Sequence, residues 1–129
     1  MVYAFIDDEP IFNIISKTKL LQLDGNAKIL TFDSCKNAIQ YFEENIEPLS
    51  NDRLVIFLDI NMPEMNGFEF LQEFKNRFFA SLQAVIFMLS SSIDSVDKET
   101  AFQFPFVKNF FSKPFQTSYL DELDCKSSA

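Results

Sequence analysis

Histidine and tryptophan are absent from this 129-residue chain, and glycine and cysteine occur only twice each. Each absence excludes something. Without histidine there is no serine or cysteine triad with a histidine base, no histidine-ligated zinc and no phosphohistidine on this chain. Cys35 and Cys125 lie too far apart in sequence for a zinc knuckle. They read as a core cysteine and a surface thiol, not a disulfide, in a chain of cytoplasmic character. With Gly25 and Gly67 as the only glycines, no glycine-rich loop follows the first strand to cradle a phosphate. No apolar run reaches the roughly 18 residues of a membrane helix, so no membrane insertion is expected. The opening segment carries Asp7, Asp8 and Glu9 where a leader would be basic and then hydrophobic, so it is not read as a signal peptide. The expected location is the cytoplasm. Positive charge is scarce as well: eleven basic residues against nineteen acidic ones give a formal charge of -8. Such a surface repels phosphate backbones and anionic lipids, and direct nucleic-acid binding is not expected.

What is abundant is phenylalanine, at 17 residues, within a hydrophobic fraction of 47%. A chain of this length buries roughly two-thirds of its unfolded surface and suits one domain, here read as residues 1–129. The four-residue tail Lys126 to Ala129 is read as too short to lead to an effector domain. The apolar residues come in short runs separated by helical spacings. Val2 to Ile6 is a strand ending in Asp7-Asp8, and Pro10 suits the first turn of a helix. In that helix Ile11, Ile14, Ile15, Thr18 and Leu21 recur at helical spacing until Gly25. Ala27 to Phe32 is a second strand. Asp33 or Ser34 can cap a helix whose inner stripe is Cys35, Ala38, Ile39 and Phe42. Glu43, Glu44 and Glu47 form a solvated acidic end, and Pro48 to Asp52 is a loop.

Leu54 to Leu58 is unbroken and apolar, as a central parallel strand must be, and it stops at Asp59. After the Asn61-Met62-Pro63 and Asn66-Gly67 turns comes a helix with Phe70, Leu71, Phe74 and Phe78 inward. Ala84 to Leu89 is a fourth strand ending in three serines, Asp94 to Phe104 a short helix stopped by Pro105, and Phe106 to Phe111 a fifth strand. Thr117 to Lys126 forms the last helix. Alternation of this kind predicts an α/β fold, flavodoxin-like (βα)5, with helices on both faces of a parallel sheet in the order 2-1-3-4-5.

In such a sheet the polar interruptions fall together. Asp7, Asp8, Asp59, Ser90 and Lys113 all follow strand carboxyl ends, where ligands of open α/β sheets bind. Three close acids repel one another unless a cation neutralises them. Magnesium suits the set, because it takes few protein oxygens and also engages phosphate. Lys113 would supply a second positive point and Ser90 a hydroxyl, leaving Asp59 as a nucleophile toward phosphorus.

With Asp7-Asp8, the LDINMP segment around Asp59, Gly67 eight residues on, Ser90 and Lys113-Pro114 in order, the chain resembles the receiver domain of two-component response regulators. The resemblance runs from Val2 to about Leu123. It implies that Asp59 accepts a phosphoryl group from a sensor histidine kinase or a histidine phosphotransfer protein. It also implies that Mg2+ is bound by Asp8, by Asp59, by the Asn61 backbone carbonyl and by Asp7 through a water. Lys113 would contact the acceptor and the phosphoryl oxygens, with a cis bond before Pro114. Ser90, or Ser91 if the register slips by one, would be the switch hydroxyl. Phe110 would be the aromatic switch, and Asn61 and Ser92 would tune hydrolysis.

The implied output surface is the face of the fourth helix, fifth strand and last helix. That segment is rich in phenylalanine, with Phe102, Phe104, Phe106, Phe110, Phe111 and Phe115, part of which strand alternation turns outward. A downstream protein, or a homodimer formed on phosphorylation, would dock there. No outside substrate is implied. A haloacid-dehalogenase-like phosphatase would need an aspartate two residues after its nucleophile, where this chain has Asn61. The alternative is a degenerate receiver that binds a partner independently of phosphate.

Overall fold

Strand registers set the layout. In the computed structural model, which describes residues 1–92 and 94–123, β1 (Val2–Ile6) lies between β2 (Lys28–Phe32) and β3 (Arg53–Asp59). β4 (Gln83–Ser90) and β5 (Val107–Ser112) extend the parallel sheet, whose order is β2-β1-β3-β4-β5. This is the predicted order, with strand boundaries moved by a residue. The helices are α1 (Pro10–Leu23), α2 (Cys35–Glu44), α3 (Ile46–Ser50), α4 (Gly67–Arg77) and α5 (Ser95–Phe102). Thr117–Leu120 forms a 3-10 turn at the start of the predicted last helix, whose final residues 124–126, Cys125 among them, lie outside the described residues.

Phenylalanine divides between the two faces of the sheet. On one face, register aligns Phe5 with Phe57 and Phe57 with Phe87. Their rings stack at centroid distances of 5.1 and 5.3 Å, and Phe115 closes the ladder edge-on to Phe5 and Phe57. The other face carries Ala4, Ile56 and Ile86 in the same way and is covered by Phe42, Phe70, Phe74, Phe78 and Phe106. The inner stripes predicted for α2 and α4 are buried as expected. Capping follows side-chain chemistry. The Ser34 hydroxyl accepts the Asn37 amide, and Asn66 with Glu69 forms a reciprocal capping box at α4. Asp94 caps α5.

Two readings need correction. Of the segment read as a loop from Pro48 to Asp52, the first three residues are instead the end of α3, which tolerates Pro48 because the proline sits in its first turn, and Asn51 and Asp52 form the turn beyond it. In α1, the isoleucines whose spacing marks the helix point outward: Ile11 is 72% and Ile14 63% exposed. Its buried residues are Asn13, Ser16 and Leu20, with Phe12 partly buried beside them. Asn13 faces in because its side-chain amide donates to the carbonyls of Asp7 and Phe32, which close off the ends of β1 and β2.

Truncation of Phe57 therefore removes the centre of the aromatic ladder. Phe57→Ala is expected to cost about 3–5 kcal/mol in urea unfolding. Ile14→Ser on the outer face of α1 should stay within about 0.5 kcal/mol of the parent. A comparable loss for both would refute this placement of the core.

Candidate functional site

The carboxyl ends of β1 and β3 bring three acids together. Asp7 and Asp8 follow β1, Asp59 is the last residue of β3, and one carboxylate oxygen from each lies within 4.8 Å of the others. Asp7 and Asp59 are buried at 1% and 6% exposure, whereas Asp8 opens to solvent. From the end of β5, Lys113 reaches into this cluster. Its Nζ lies 2.7 Å from Asp7 Oδ2, 3.4 Å from Asp59 Oδ1 and 3.4 Å from Glu9 Oε1. The peptide between Lys113 and Pro114 is cis.

Burial decides the electrostatics. It pushes the Asp59 carboxyl up to about 6; the charge of Asp7 adds to the rise, and Lys113 with the Asn61 amide offsets part of it. Asp7 is raised for the same first reason and pulled back by its bond to Lys113. For Lys113, burial pulls downward, but Asp7, Asp59 and Glu9 outweigh it and the ammonium is held more tightly than usual. Near neutral pH the pocket presents a partly desolvated carboxylate beside an ammonium, an arrangement suited to nucleophilic attack on an electrophile carrying negative oxygens. Three hard carboxylates without nitrogen or sulfur donors also fit a small divalent cation such as Mg2+.

The remaining predicted residues take different positions. Ser90 ends β4 and is 2% exposed, while Ser91 and Ser92 are exposed. The Ser90 hydroxyl is turned into its own loop, donating to the Ser92 carbonyl at 2.7 Å and accepting the Ser92 amide at 3.1 Å. The Ser90 carbonyl accepts the Lys113 amide at 2.8 Å, which ties the ends of β4 and β5 together. Asn61 is exposed just beyond Asp59. Phe110 does not enter the pocket; it is 4% exposed and belongs to the core on the α2, α4 and α5 side. Of the phenylalanine-rich segment, Phe106, Phe110 and Phe115 are buried, and Phe102 on α5 is the exposed one at 45%.

Gly67 supports the acceptor loop through close packing. A Cβ there would stand 2.7 Å from the Asp59 carbonyl oxygen, so α4 can approach the loop only with glycine at its start. Cys35, buried as expected, has its thiol pushed up to about 12 by burial and by the charges of Asp59 and Glu69, which makes it inert.

Three residues at the site were not read from the sequence. Glu9 contacts Lys113, Asn13 holds the Asp7 carbonyl, and Phe12 places its ring beneath the Lys113 ammonium, 4.7 Å from Nζ to centroid. Glu9 had a signal in the acidic run it closes. Phe12 and Asn13 had none, because helical spacing alone gives no face.

Residues 4–123 match the family model of the response regulator receiver domain. A crystal structure of a two-component response regulator from Cytophaga hutchinsonii superposes with a TM-score of 0.83 at 30% identity, covering 97% of this chain and 94% of that one. A response regulator receiver protein from Dyadobacter fermentans gives 0.81 at 27% identity, covering 98% and 96%. The transcriptional regulatory protein FlgR of Helicobacter pylori is 28% identical over 123 residues, which is 95% of this chain and 28% of FlgR. The chain thus spans well under a third of that relative.

The raised carboxyl of Asp59 has a consequence for stability. Between its ordinary value of 3.8 and about 6, the folded chain keeps a proton that the unfolded chain has released. The stability contributed by this group is complete below the lower value and lost as pH rises through the upper one. In metal-free buffer, Asp59→Asn is expected to raise unfolding stability near pH 7.5 by on the order of 2 kcal/mol. The gain should vanish near pH 4. Urea unfolding at both pH values checks this, and an equal gain at both would contradict it.

Proposed function

Because the chain belongs to the response regulator receiver domain family, we propose that Asp59 is its phosphoacceptor and that a sensor histidine kinase or histidine phosphotransfer protein is the donor. The observation that carries the reading is the buried Asp59 carboxylate facing Lys113 at 3.4 Å within a cluster of three acids. Membership itself supports phosphorylation-activated two-component signalling. In the proposed step an Asp59 oxygen attacks phosphorus and forms an O–P bond. The P–N bond to the donor imidazole breaks, and that nitrogen keeps the electron pair and takes up a proton.

Lys113 balances charge on the acceptor and then on the phosphoryl oxygens. Asp8 and Asp59, with the Asn61 carbonyl and Asp7 through a water, would hold Mg2+, which when bound neutralises the same oxygens. The residues present fit that ion by number and by chemistry.

The acyl phosphate brings new charge and strong acceptor oxygens to the edge of the sheet. Ser90 then exchanges its bond to the Ser92 carbonyl for one to the phosphoryl group. Because the Lys113 amide bonds the Ser90 carbonyl, the shift is passed to the end of β5 and the core around Phe110. The output face in this reading is α5, β5 and the C-terminal turn. Val96 and Phe102 are exposed on α5, where Ser95, Lys98, Glu99 and Gln103 lie beside Phe102 on an open surface. A downstream protein, or a second copy of the phosphorylated chain, would dock there. No helix among the described residues is long and apolar enough to cross a membrane, and a cytoplasmic location accords with the proposed donor.

Intact-protein mass after incubation with acetyl phosphate tests the reading. One phosphoryl group should add in the presence of Mg2+, and none with EDTA or in Asp59→Asn. Absence of an adduct, together with absence of beryllium fluoride binding, would overturn the acceptor role and favour a phosphate-independent interaction module.

A further inference from the structure

Lys113 has an unusual second environment. Three carboxylates surround its ammonium, and against it lies the face of Phe12 at 4.7 Å. Phe12 is partly buried and packs against the cluster that contains Phe5, Phe57 and Phe115. Seven residues on, about two helical turns along α1, Lys19 donates from Nζ to the Phe115 carbonyl at 2.9 Å. One face of α1 therefore grips the Lys113–Phe115 segment twice, at the ammonium and at the backbone two residues beyond it.

We propose that Phe12 is a positioning residue for Lys113, its ring holding the ammonium in the acceptor pocket while the ammonium exchanges partners. The proposal rests on the reading of Asp59 as the phosphoacceptor. Lys113 is closer to Asp7 than to Asp59, by 2.7 against 3.4 Å, so it must shift toward Asp59 to meet a phosphoryl group there. A lysine on a flexible four-carbon stem would otherwise make that shift through hydrated conformers outside the pocket. The aromatic quadrupole attracts a cation over the ring without demanding one hydrogen-bond direction. The ring thus permits movement between the two carboxylates and disfavours retreat into water. Leucine at this position would fill comparable apolar space but carry no quadrupole.

The test uses the full chain and compares Phe12→Leu with Phe12→Tyr. In proton NMR of the metal-free protein, the ring current should shift the Lys113 ε-methylene upfield, an effect kept in Phe12→Tyr and lost in Phe12→Leu. With acetyl phosphate and Mg2+, the phosphorylation rate of Phe12→Leu should fall about three- to thirty-fold. Phe12→Tyr should stay within about two-fold of the parent. In a Lys113→Met background, Phe12→Leu should change the rate less than about two-fold, because the ring acts through the ammonium.

A Phe12→Leu protein as fast as the parent would overturn the proposal, as would a Phe12→Tyr protein as slow as Phe12→Leu. So would an undiminished effect without Lys113, or a parent lacking the upfield shift. If Phe12→Leu fails to fold by circular dichroism, Phe12→Met replaces it in every comparison. A parent that takes up no phosphoryl group and binds no beryllium fluoride sinks the reading of Asp59 and this proposal with it; a phosphorylated parent with an equally fast leucine variant sinks the proposal alone.

Discussion

Asp7 and Asp59 are buried side by side, and neither can stay ionised there without a counter-charge, which Lys113 supplies at 2.7 and 3.4 Å. Burial pushes both acids toward their neutral forms, the charge of Asp7 adds to the rise at Asp59 and that of Glu9 to the rise at Asp7, and the ammonium opposes these effects. The balance leaves Asp59 near 6, ionised around neutral pH but poorly satisfied. A fully paired carboxylate would be a weak nucleophile, and an unpaired one would be protonated or would destabilise the fold. A single lysine shared among three acids places the site between these limits.

That balance depends on positions fixed by apolar packing. The in-register row Phe5, Phe57 and Phe87 sets the relative heights of β1, β3 and β4, so Asp7 and Asp59 emerge level with each other. Phe115 locks onto Phe5 and Phe57 only two residues after Lys113, which anchors the base of the lysine to the same ladder. The polar cluster is thus an extension of the aromatic one. Its geometry is as firm as the core beneath it, whereas the exposed Asp8 and Glu9 are held by little else.

Much of this was legible because strand ends are marked chemically. Apolar runs that stop at Asp7, Asp59 and Ser90, followed by Lys113 after the fifth run, gave both the sheet and the edge at which these residues meet. The stripes of α2 and α4 were legible because only one face of each helix is apolar. On α1 both faces offered apolar residues. The choice fell to Phe12, Asn13, Ser16 and Leu20 because Asn13 donates to the Asp7 carbonyl, and adds a second donor to a Phe32 carbonyl that already accepts the Asp7 amide, which the isoleucines cannot do. An orphaned Asp7 carbonyl costs more than exposed isoleucines, which are individually tolerated at a surface. The same gap hid Phe12: its contact with Lys113 joins residues a hundred positions apart through a face the helix pattern did not assign. The inward setting of Phe110 was likewise open, since β5 carries Phe110 and Phe111 on opposite sides and sequence alternation alone does not name the core side.

The hydroxyl and the cation, which answer to the same acceptor in the proposed function, are already joined by backbone. The Lys113 amide donates to the Ser90 carbonyl, and Ser90 and Ser112 pair at the end of the sheet. A movement of Ser90 that brought its hydroxyl to Asp59 would therefore have to carry, or break from, the segment that holds Lys113. Breaking would orphan a buried carbonyl, so joint movement is the less costly course. Joint movement leads to β5, whose adjacent residues Phe110 and Phe111 enter opposite cores. A displacement of that strand end cannot be absorbed on one face alone. Dense packing resists small continuous shifts, so under the proposed function a charge added at Asp59 would produce a discrete rearrangement of the α5 and β5 face.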